Sequence, residues 1–374
     1  MMTSTQQYID GFIEEPGYLD YGRVGPLSAA VVAESRAQTD VLARARFGSL
    51  DNLLRQNVRL ENAVAAVTGF RADQVVAQPN ASSGLMHAMF GLTGGVLLSA
   101  ADFPSVPFAA MRAAESLHVL TPTWLQTDHG RVTPGEIKDQ LGSSVTAVAV
   151  CLVDSRTGYL ADLEGIRQVI GDRLLIVDAI QGFGIVDAPY ELADVVVSGG
   201  QKWVRSGWGT GFLALSDRAA EQLTPVFSGF TATNVDDPWD EVPPPAPGAK
   251  AFQVSNGDSI AQARFSTALE EIESVGVQAI ADLIADTVTQ VIDLADEFAI
   301  PVASSRDLRE RAGIVVLEPP AEHLTLLVAS LHNHGISATS RLGAVRLSVH
   351  AGTSRETLEM LRSALMSFSS AVTY

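Results

Sequence analysis

Three scarcities in the sequence exclude whole classes of protein. Cysteine occurs once among the 374 residues, as Cys151, which excludes an intramolecular disulfide framework and a cysteine-rich zinc site. Positive charge is also scarce, because 25 lysines and arginines face 43 acidic residues, and the net charge of −18 disfavours nucleic acid and anionic membranes as partners. Long apolar runs are missing too, since none reaches the roughly 20 residues that a membrane-spanning helix needs.

Targeting and metal-binding patterns are equally absent. The stretch Met1–Asp10 has neither a basic region nor an apolar core, so it does not resemble a signal peptide. The seven histidines show no metal-ligating spacing, so no metal site is predicted. Together with the single cysteine, these absences predict a cytoplasmic protein.

Apolar residues are what the sequence has in quantity. They make up 47% of the chain against 18% charged residues, which is typical of a well-buried globular protein. A chain of 374 residues exceeds what one hydrophobic core usually serves. We therefore expect two lobes.

Two short apolar runs end in polar residues that can do chemistry. The runs 174–178 and 195–199 are rich in β-branched residues, which predicts strands buried on both faces of a parallel sheet. Asp178 then stands at the tip of one strand and Lys202 just past the other, at the edge where open α/β sheets bind ligands. A lysine there can form a Schiff base with pyridoxal phosphate, and an acid can hold the pyridinium nitrogen. Either residue alone could equally be an ordinary polar residue at a strand end.

The motifs around this pair resemble those of class V pyridoxal-phosphate aminotransferases. They are Asp178-Ala-Ile-Gln-Gly-Phe-Gly184, Ser198-Gly-Gly-Gln-Lys202 and Gly207-Trp-Gly-Thr-Gly-Phe212. The family includes alanine–glyoxylate and serine aminotransferases, kynureninase, cysteine desulfurases and related carbon–sulfur lyases. The resemblance extends from about Tyr18 to the C-terminus.

The resemblance implies an α/β protein of the aspartate-aminotransferase type (fold type I). It has a large lobe with a mostly parallel seven-stranded sheet and a small C-terminal α+β lobe. The implied divisions are an N-terminal segment over the active site (1–27), a large cofactor-binding lobe (28–248) and a small lobe (249–374). The implied cofactor is pyridoxal 5′-phosphate, and the implied assembly is a homodimer with its active site at the interface.

A turn of small residues before a helix is the candidate phosphate site. Ser82 or Ser83 is a suitable N-cap, and the free amides of a first helical turn bind phosphate. From the residues alone, plain helix capping is the alternative. The resemblance implies a phosphate-binding set of five residues: Ala81, Ser82, Ser83, Ser198 and Gln201. It also implies that Thr231, in the Pro-rich stretch 224–248, touches the partner subunit's phosphate.

Three further side chains are implied to contact the cofactor ring. Phe103 takes the place of the aromatic or histidine side chain that stacks on the pyridine, although a core phenylalanine is the alternative. Ser155 neighbours the ring hydroxyl, and Gln181 belongs to the same cofactor-binding set as Asp178.

Arg346 is the candidate for binding the α-carboxylate of an amino acid. A guanidinium can grip a carboxylate through two parallel hydrogen bonds, and the family's carboxylate-binding arginine lies in such an Arg-x-Ser pattern. Arg341 is the alternative, and Arg23 could also face the substrate beside the small residues Gly22 and Gly25. Asn256 is a further candidate, because Ser255-Asn256 is closer to kynureninase-like members than to the usual Glu-x-Gly-Thr-Pro motif.

The leading hypothesis for the reaction is transamination of a small amino acid with a keto acid, through a Schiff base on Lys202. It depends on Ser198-Gly-Gly-Gln-Lys202, which resembles the alanine–glyoxylate branch most closely. The alternative is a lyase of the same family, either kynureninase-like or cleaving a carbon–sulfur bond. A cysteine desulfurase is disfavoured, because Cys151 lies within a strand and Phe103 stands where desulfurases usually have histidine.

Overall fold

A seven-stranded sheet covered by helices on both faces forms the centre of the molecule. A computed structural model describes residues 5–235 and 238–372. The strands lie in the order β1-β7-β6-β5-β4-β2-β3, and neighbours are parallel except where β7 joins β6 and β1. The predicted α/β fold with a mostly parallel seven-stranded sheet is therefore confirmed.

The strands of the large sheet are β1 Val75–Ala77, β2 Gly94–Ser99, β3 Leu120–Leu125, β4 Val145–Cys151, β5 Leu174–Asp178, β6 Val195–Gly199 and β7 Gly211–Leu215. The small sheet, in the order β8-β10-β9, contains β8 Ile314–Leu317, β9 Thr339–Arg341 and β10 Ala344–Ser348 and is antiparallel. The helices are α1 Thr5–Asp10, α2 Ala29–Ala43, α3 Asp51–Leu54, α4 Gln56–Thr68, α5 Ala81–Gly91, α6 Ser105–Leu117, α7 Pro134–Gln140, α8 Leu163–Ile170, α9 Asp217–Gln222, α10 Ser259–Val275, α11 Val277–Glu297, α12 Leu324–Asn333 and α13 Arg355–Val372.

The central strands are apolar throughout because each of their faces is covered. In β5, Leu175 and Val177 belong to one core cluster, whereas Leu174 and Ile176 belong to another. Side chains alternate between the faces of a strand, so the two clusters lie on opposite faces of the sheet. Residues of α5 and α6 join the second cluster, and residues of α8 and α10 join the first.

The N-terminal segment is tied to the small sheet. Single parallel bridges join Tyr18 to Ser337 and Asp20 to Ser348. Residues 1–4, the start of the segment predicted to cover the active site, lie outside the described residues. The lobe divisions at 28 and 249 stay predictions.

The sequence predicted helical structure from Ser28 to Gly69, and the structure divides it into α2, α3 and α4. The last of these ends where Gly69 adopts the left-handed conformation that glycine tolerates. In the described part of the chain, no single helix is long and apolar enough to cross a membrane. The pair α10 and α11 reaches that length and composition together, but it is bent by 83°.

Candidate active site

Asp178, Ser198 and Lys202 form the base of the site, which we call the cofactor floor. Strands β5 and β6 are parallel neighbours with Asp178 opposite Val197, so their carboxyl ends bring these side chains together. Asp178 is only 2% exposed and Lys202 only 8%. Among the described residues, the Lys202 amine makes no hydrogen bond and no ion pair within 4.0 Å, so space separates it from the Asp178 carboxylate.

Burial shifts the pKa values of Lys202 and Asp178 in the directions that favour their neutral forms. It lowers the pKa of Lys202 to about 8, against the attraction of the Asp178 carboxylate. It raises the pKa of Asp178 to about 6, although the Ile180 amide donates to that carboxylate at 3.1 Å. A lysine with this pKa is partly neutral near physiological pH and can accept a proton.

Phe103 covers the floor from the loop between β2 and α6. The amine of Lys202 lies 5.1 Å from the centre of the Phe103 ring. Ser198 is fully buried, and its hydroxyl has no partner among the described residues. An unpaired buried hydroxyl is costly, so it indicates a ligand that the protein alone does not supply.

The turn before α5 lies beside the floor, but a different residue caps the helix. The side chain of Asn80 accepts from the Ser83 amide at 2.9 Å, so Asn80 is the N-cap, and the prediction of Ser82 or Ser83 was wrong. Asparagine caps helices as well as serine does. Because the chain leaves β1 so that α5 begins at Ala81, Asn80 and not a serine occupies the capping position. A side chain on Gly211 would come within 2.9 Å of both Asn80 and the Ser198 carbonyl, so turn and floor meet there.

The predicted phosphate-binding residues take different positions around this turn. Ala81 is buried, whereas Ser82 is exposed and shares a hydrogen bond of 2.8 Å with Ser105. Ser83 is half-buried, and so is Gln201, which precedes Lys202. Because first-turn amides have no partner within their own helix, the start of α5 offers hydrogen-bond donors to an anion.

Gln181 ties the floor to the N-terminal segment. Its amide nitrogen donates to the Gly22 carbonyl at 2.9 Å, and its oxygen accepts from the Trp203 indole at 2.9 Å. The Gly25 amide also donates to the Gln201 carbonyl at 2.8 Å. The segment therefore rests on residues of both cofactor motifs.

Arg346 of β10 and Ser155, which follows β4, lie together in the lining of one cleft. The guanidinium donates to the Ser155 carbonyl at 3.3 Å and lies 3.8 Å from the Asp20 carboxylate. Its Nε is buried without a partner in the described part of the chain, and burial lowers its pKa. A guanidinium with an unused donor and only long contacts to Ser155 and Asp20 suits a substrate carboxylate. Arg23 instead pairs with Asp20 at 3.7 Å, and its side chain is mostly exposed.

A cleft of about 920 Å³ opens above Phe103 and Arg346. Its lining also includes Ser155, Arg341 and Asp102, a residue that sequence reasoning missed. Burial raises the pKa of Asp102 to about 7, helped by the nearby carboxylates of Asp154 and Asp178. In the sequence, the position of Asp102 directly before Phe103 was the one signal that could have indicated it.

Asn256 and Thr231 lie outside this cleft. Asn256 lines a second cavity of about 570 Å³, together with Ser83, His87 and Phe227. Thr231 lies in the short 3₁₀ helix Phe230–Ala232, and its hydroxyl is buried without a partner among the described residues. Within the described ranges, no cluster of three or more His, Cys, Asp or Glu side chains could hold a metal ion.

Comparison with known families decides what this arrangement is. A family model described as aminotransferase class-V matches residues 77–361, well over half of the chain. The chain belongs to the class V aminotransferase family. A comparison with curated proteins finds no match.

Several solved structures share the fold of this class V chain. The apo structure of a cysteine desulfurase from Thermococcus onnurineus NA1 has a TM-score of 0.84 at 20% identity, covering 96% of this chain and 95% of that one. The cystine C–S lyase C-DES, in complex with its reaction product cysteine persulfide, has 0.84 at 17%, covering 94% and 97%. A C-DES mutant with glycine covalently linked to its PLP cofactor has 0.86 at 16%, covering 97% and 99%.

The cofactor of this class V enzyme is pyridoxal 5′-phosphate, and the floor fits it. The unpaired Ser198 hydroxyl and the first turn of α5 suit a phosphate, and Asp178 suits a protonated ring nitrogen. Lys202 is the free amine that the aldehyde requires, and Phe103 offers a flat apolar face. These individual roles stay predictions.

Proposed function

We propose that this protein is a pyridoxal-phosphate-dependent lyase that breaks a bond at the β-carbon of an amino acid, with a carbon–sulfur bond as the first candidate. The observation that carries the proposal is that Phe103 and Arg346 line one cleft, with the Lys202 amine 5.1 Å from the centre of the Phe103 ring and the Nε of Arg346 without a partner among the described residues. A base and a carboxylate-binding group at one site suit an α-amino acid.

Each residue then has a definite task. Arg346 holds the α-carboxylate, and Lys202 takes the proton from Cα and can pass it to the sulfur that leaves Cβ. Asp178 keeps the ring nitrogen protonated, and Phe103 excludes water from one face. The bound cofactor supplies an aldehyde that joins the substrate amine and a ring that absorbs the electrons released at Cα.

The size of the cleft favours a lyase over an enzyme for small amino acids. A volume of about 920 Å³ is near the upper end of ligand pockets and leaves room for a group beyond Cβ. Loss of that group needs space, whereas transamination of alanine or serine does not. The likeness to C-DES, a cystine C–S lyase, supports the same assignment.

Sulfur released by such a lyase would not pass through a protein cysteine. Cys151 ends β4 in a buried position, and burial raises the pKa of its thiol well above the usual value. A protonated thiol is a poor nucleophile, so it cannot take sulfur from the substrate. We therefore expect the sulfur to be released as part of a small-molecule product.

Transamination of a small amino acid with a keto acid is the second candidate. The motif Ser198-Gly-Gly-Gln-Lys202 favours it, and so does the fact that it requires no side chain beyond Lys202, Asp178 and Arg346.

Product analysis of the cofactor-loaded protein tests both candidates. Cystine and a set of S-alkyl cysteines are supplied first, followed by alanine and serine with glyoxylate or pyruvate. Ammonia, a keto acid and a sulfur product in equal amounts support the lyase. A new amino acid without ammonia supports transamination instead.

Borohydride reduction tests the shared chemistry separately. Reduction should fix pyridoxal phosphate on the peptide that contains Lys202, and the visible absorbance of the loaded protein should disappear in Lys202→Ala. Lys138→Ala, which changes an exposed lysine of α7, is the matched control. Labelling of another lysine, or of none, would defeat both candidates.

We further propose a homodimer with the second cavity at its interface. Apolar side chains on the segment 224–258 are exposed: Phe227, Phe230, Trp239 and Val254. Such a patch marks an interaction surface, and a second copy would cover it. Light scattering should give twice the chain mass, and Phe230→Asp should reduce it towards one chain.

A further inference from the structure

We infer that the outer end of the cleft binds a second anionic group of the substrate, such as a carboxylate, through Arg131, Arg156 and Arg341. We call these three side chains the cleft mouth. The inference rests on the proposed amino-acid chemistry and names its substrate class, an amino acid whose side chain ends in an anion.

The three arginines reach the mouth from separate elements. Arg131 follows β3 in a turn closed by a bridge to Asp128, and Arg156 stands in the turn after β4. Arg341 ends β9, and all three line the same cleft as Phe103. Three segments, one of them far from the other two in the sequence, therefore meet at one opening, as in many ligand sites.

None of the three arginines is committed to an acid. Within the described residues, no carboxylate lies within 4.0 Å of their guanidinium groups. By contrast, Arg59 pairs with both Glu34 and Glu270 at 2.7 Å. Arg131 also has a buried Nε without a partner in the described part of the chain. In a chain of net charge −18, unpaired arginines around one cleft indicate attraction for an external anion.

Acidic residues also line the cleft, and they oppose an anion only in part. Asp128 is 2.5 Å from the Nδ1 of His129, and Asp102 is buried with a raised pKa. Glu318 is an exposed carboxylate of the lining. With Arg346 counted, four arginines line the cleft, so the charge of the lining favours an anion.

Strand register fixes the spacing between the two anion sites. On the β9–β10 pair, Arg346 lies opposite Thr339 and Ala344 lies opposite Arg341. Residues two apart share one face of a strand, so Arg341 and Arg346 project from the same face. The backbones of such diagonal neighbours are about 7–8 Å apart, so the two long side chains can each reach one of two carboxylates separated by several carbons. The charge of Arg341 also contributes to lowering the pKa of both Lys202 and Arg346, so the mouth lies within electrostatic range of the reacting end.

Calorimetric titration of the cofactor-loaded enzyme with unreactive acids tests the subsite without any turnover. Each diacid is compared with the monoacid of equal chain length: glutarate with pentanoate, adipate with hexanoate and pimelate with heptanoate. At low ionic strength, at least one diacid should bind about tenfold more tightly than its monoacid, because a charge-assisted hydrogen bond contributes about that factor.

Arginine variants then assign the effect. Arg341→Gln should reduce the advantage of the diacid to threefold or less and leave the monoacid unchanged, with smaller losses for Arg131→Gln and Arg156→Gln. Arg55→Gln, an exposed arginine between α3 and α4, is the control and should change neither affinity. Equal affinity for diacids and monoacids, or an advantage that survives in all three variants, would overturn the inference.

The outcome is separable from that of the proposed function. Borohydride labelling of Lys202 with turnover of neutral amino acids, but no diacid advantage, overturns the subsite alone. A diacid advantage without labelling of Lys202 overturns the proposed function and leaves an anion site.

Discussion

The cofactor floor and the cleft mouth are built in opposite ways. The floor stands at the ends of two adjacent strands, and its side chains are buried where the sheet and its helices hold them. The mouth stands on turns and a hairpin end, where Arg156 and Arg341 are exposed and Arg131 is half-buried. Buried residues at strand ends are typical of the chemistry that many enzymes share. Exposed residues on turns are typical of the part of a site that selects the substrate.

The difference also separates what each region depends on. The floor comes from residues 24 positions apart, Asp178 and Lys202, within one pair of parallel strands. The mouth brings Arg341 together with Arg131 and Arg156, which precede it by 210 and 185 positions, so its geometry exists only in the folded chain. Substitutions in the two regions should therefore differ in size and in kind.

The largest expected effect comes from removing the base of the floor. Lys202→Ala should lower kcat by about 10²–10⁴-fold, because a positioned general base contributes on that order. Substitution at the mouth should change kcat/KM by only about tenfold, and only for anionic substrates. Steady-state kinetics of Lys202→Ala, Arg341→Gln and the control Lys138→Ala measure both. Equal losses at floor and mouth would remove the distinction.

Sequence reasoning located the floor because the relevant signals are local. The apolar runs of β5 and β6 predict strand ends directly, and their spacing to Asp178 and Lys202 is fixed by the chain. The same holds for Arg346, whose alternation with apolar neighbours predicts β10. The mostly parallel sheet followed from the resemblance.

Non-local features escaped the sequence for physical reasons. Asn80 caps α5 because β1 and Gly211 fix the turn before it, and the serines that follow are equally good caps on paper. The partners of Gln181 include Gly22, 159 positions away, which no local pattern indicates. Asp102 acquires its raised pKa only when folding removes it from water.

Arg346 lies between the floor and the mouth, and its substitution should reduce enzymatic activity less than substitution of Lys202. Arg346→Gln should raise KM by about 10–100-fold with a smaller change in kcat, since it removes charge-assisted bonds to the α-carboxylate. Arg346→Lys should recover only part, because an ammonium cannot form two parallel bonds. Monoacid affinity by calorimetry provides a second measure. An unchanged KM would move the carboxylate site to Arg341.

The N-terminal segment should respond to steric change at its contact with the floor. A side chain on Gly25 would lie 1.8 Å from the Lys202 carbonyl oxygen, so Gly25→Ala must displace the backbone. We expect a loss of about 1–3 kcal/mol in the free energy of unfolding, as for other overpacked sites. Urea unfolding checks this, with Gly135→Ala as control, where the nearest atom is 4.0 Å away. Equal stability of the two variants would mean that the segment does not rest on the floor.

Asp102 offers the smallest and sharpest test of the difference in burial. Burial raises the pKa of Asp102 from its ordinary value of 3.8 to about 7, so between these pH values the folded protein retains a proton that the unfolded chain releases. The stabilisation of the folded state by this retained proton is fully present below pH 3.8 and is lost as the pH rises through 7. Asp102→Asn keeps a neutral side chain, so above pH 7 it should raise the free energy of unfolding by about 1–2 kcal/mol and below pH 4 by nothing. The gain stays below the full linkage value because the replaced Oδ2 atom still lacks a partner.

Urea unfolding of the cofactor-free protein at pH 4, 6 and 8 measures this gain. Asp139→Asn, an exposed acid of α7, is the control and should show no trend with pH. A gain that grows with pH only in Asp102→Asn would establish that water is excluded beside the floor. A flat profile would instead mean that water reaches the base of the cleft as freely as it reaches the mouth, so that burial could not account for a partly neutral Lys202.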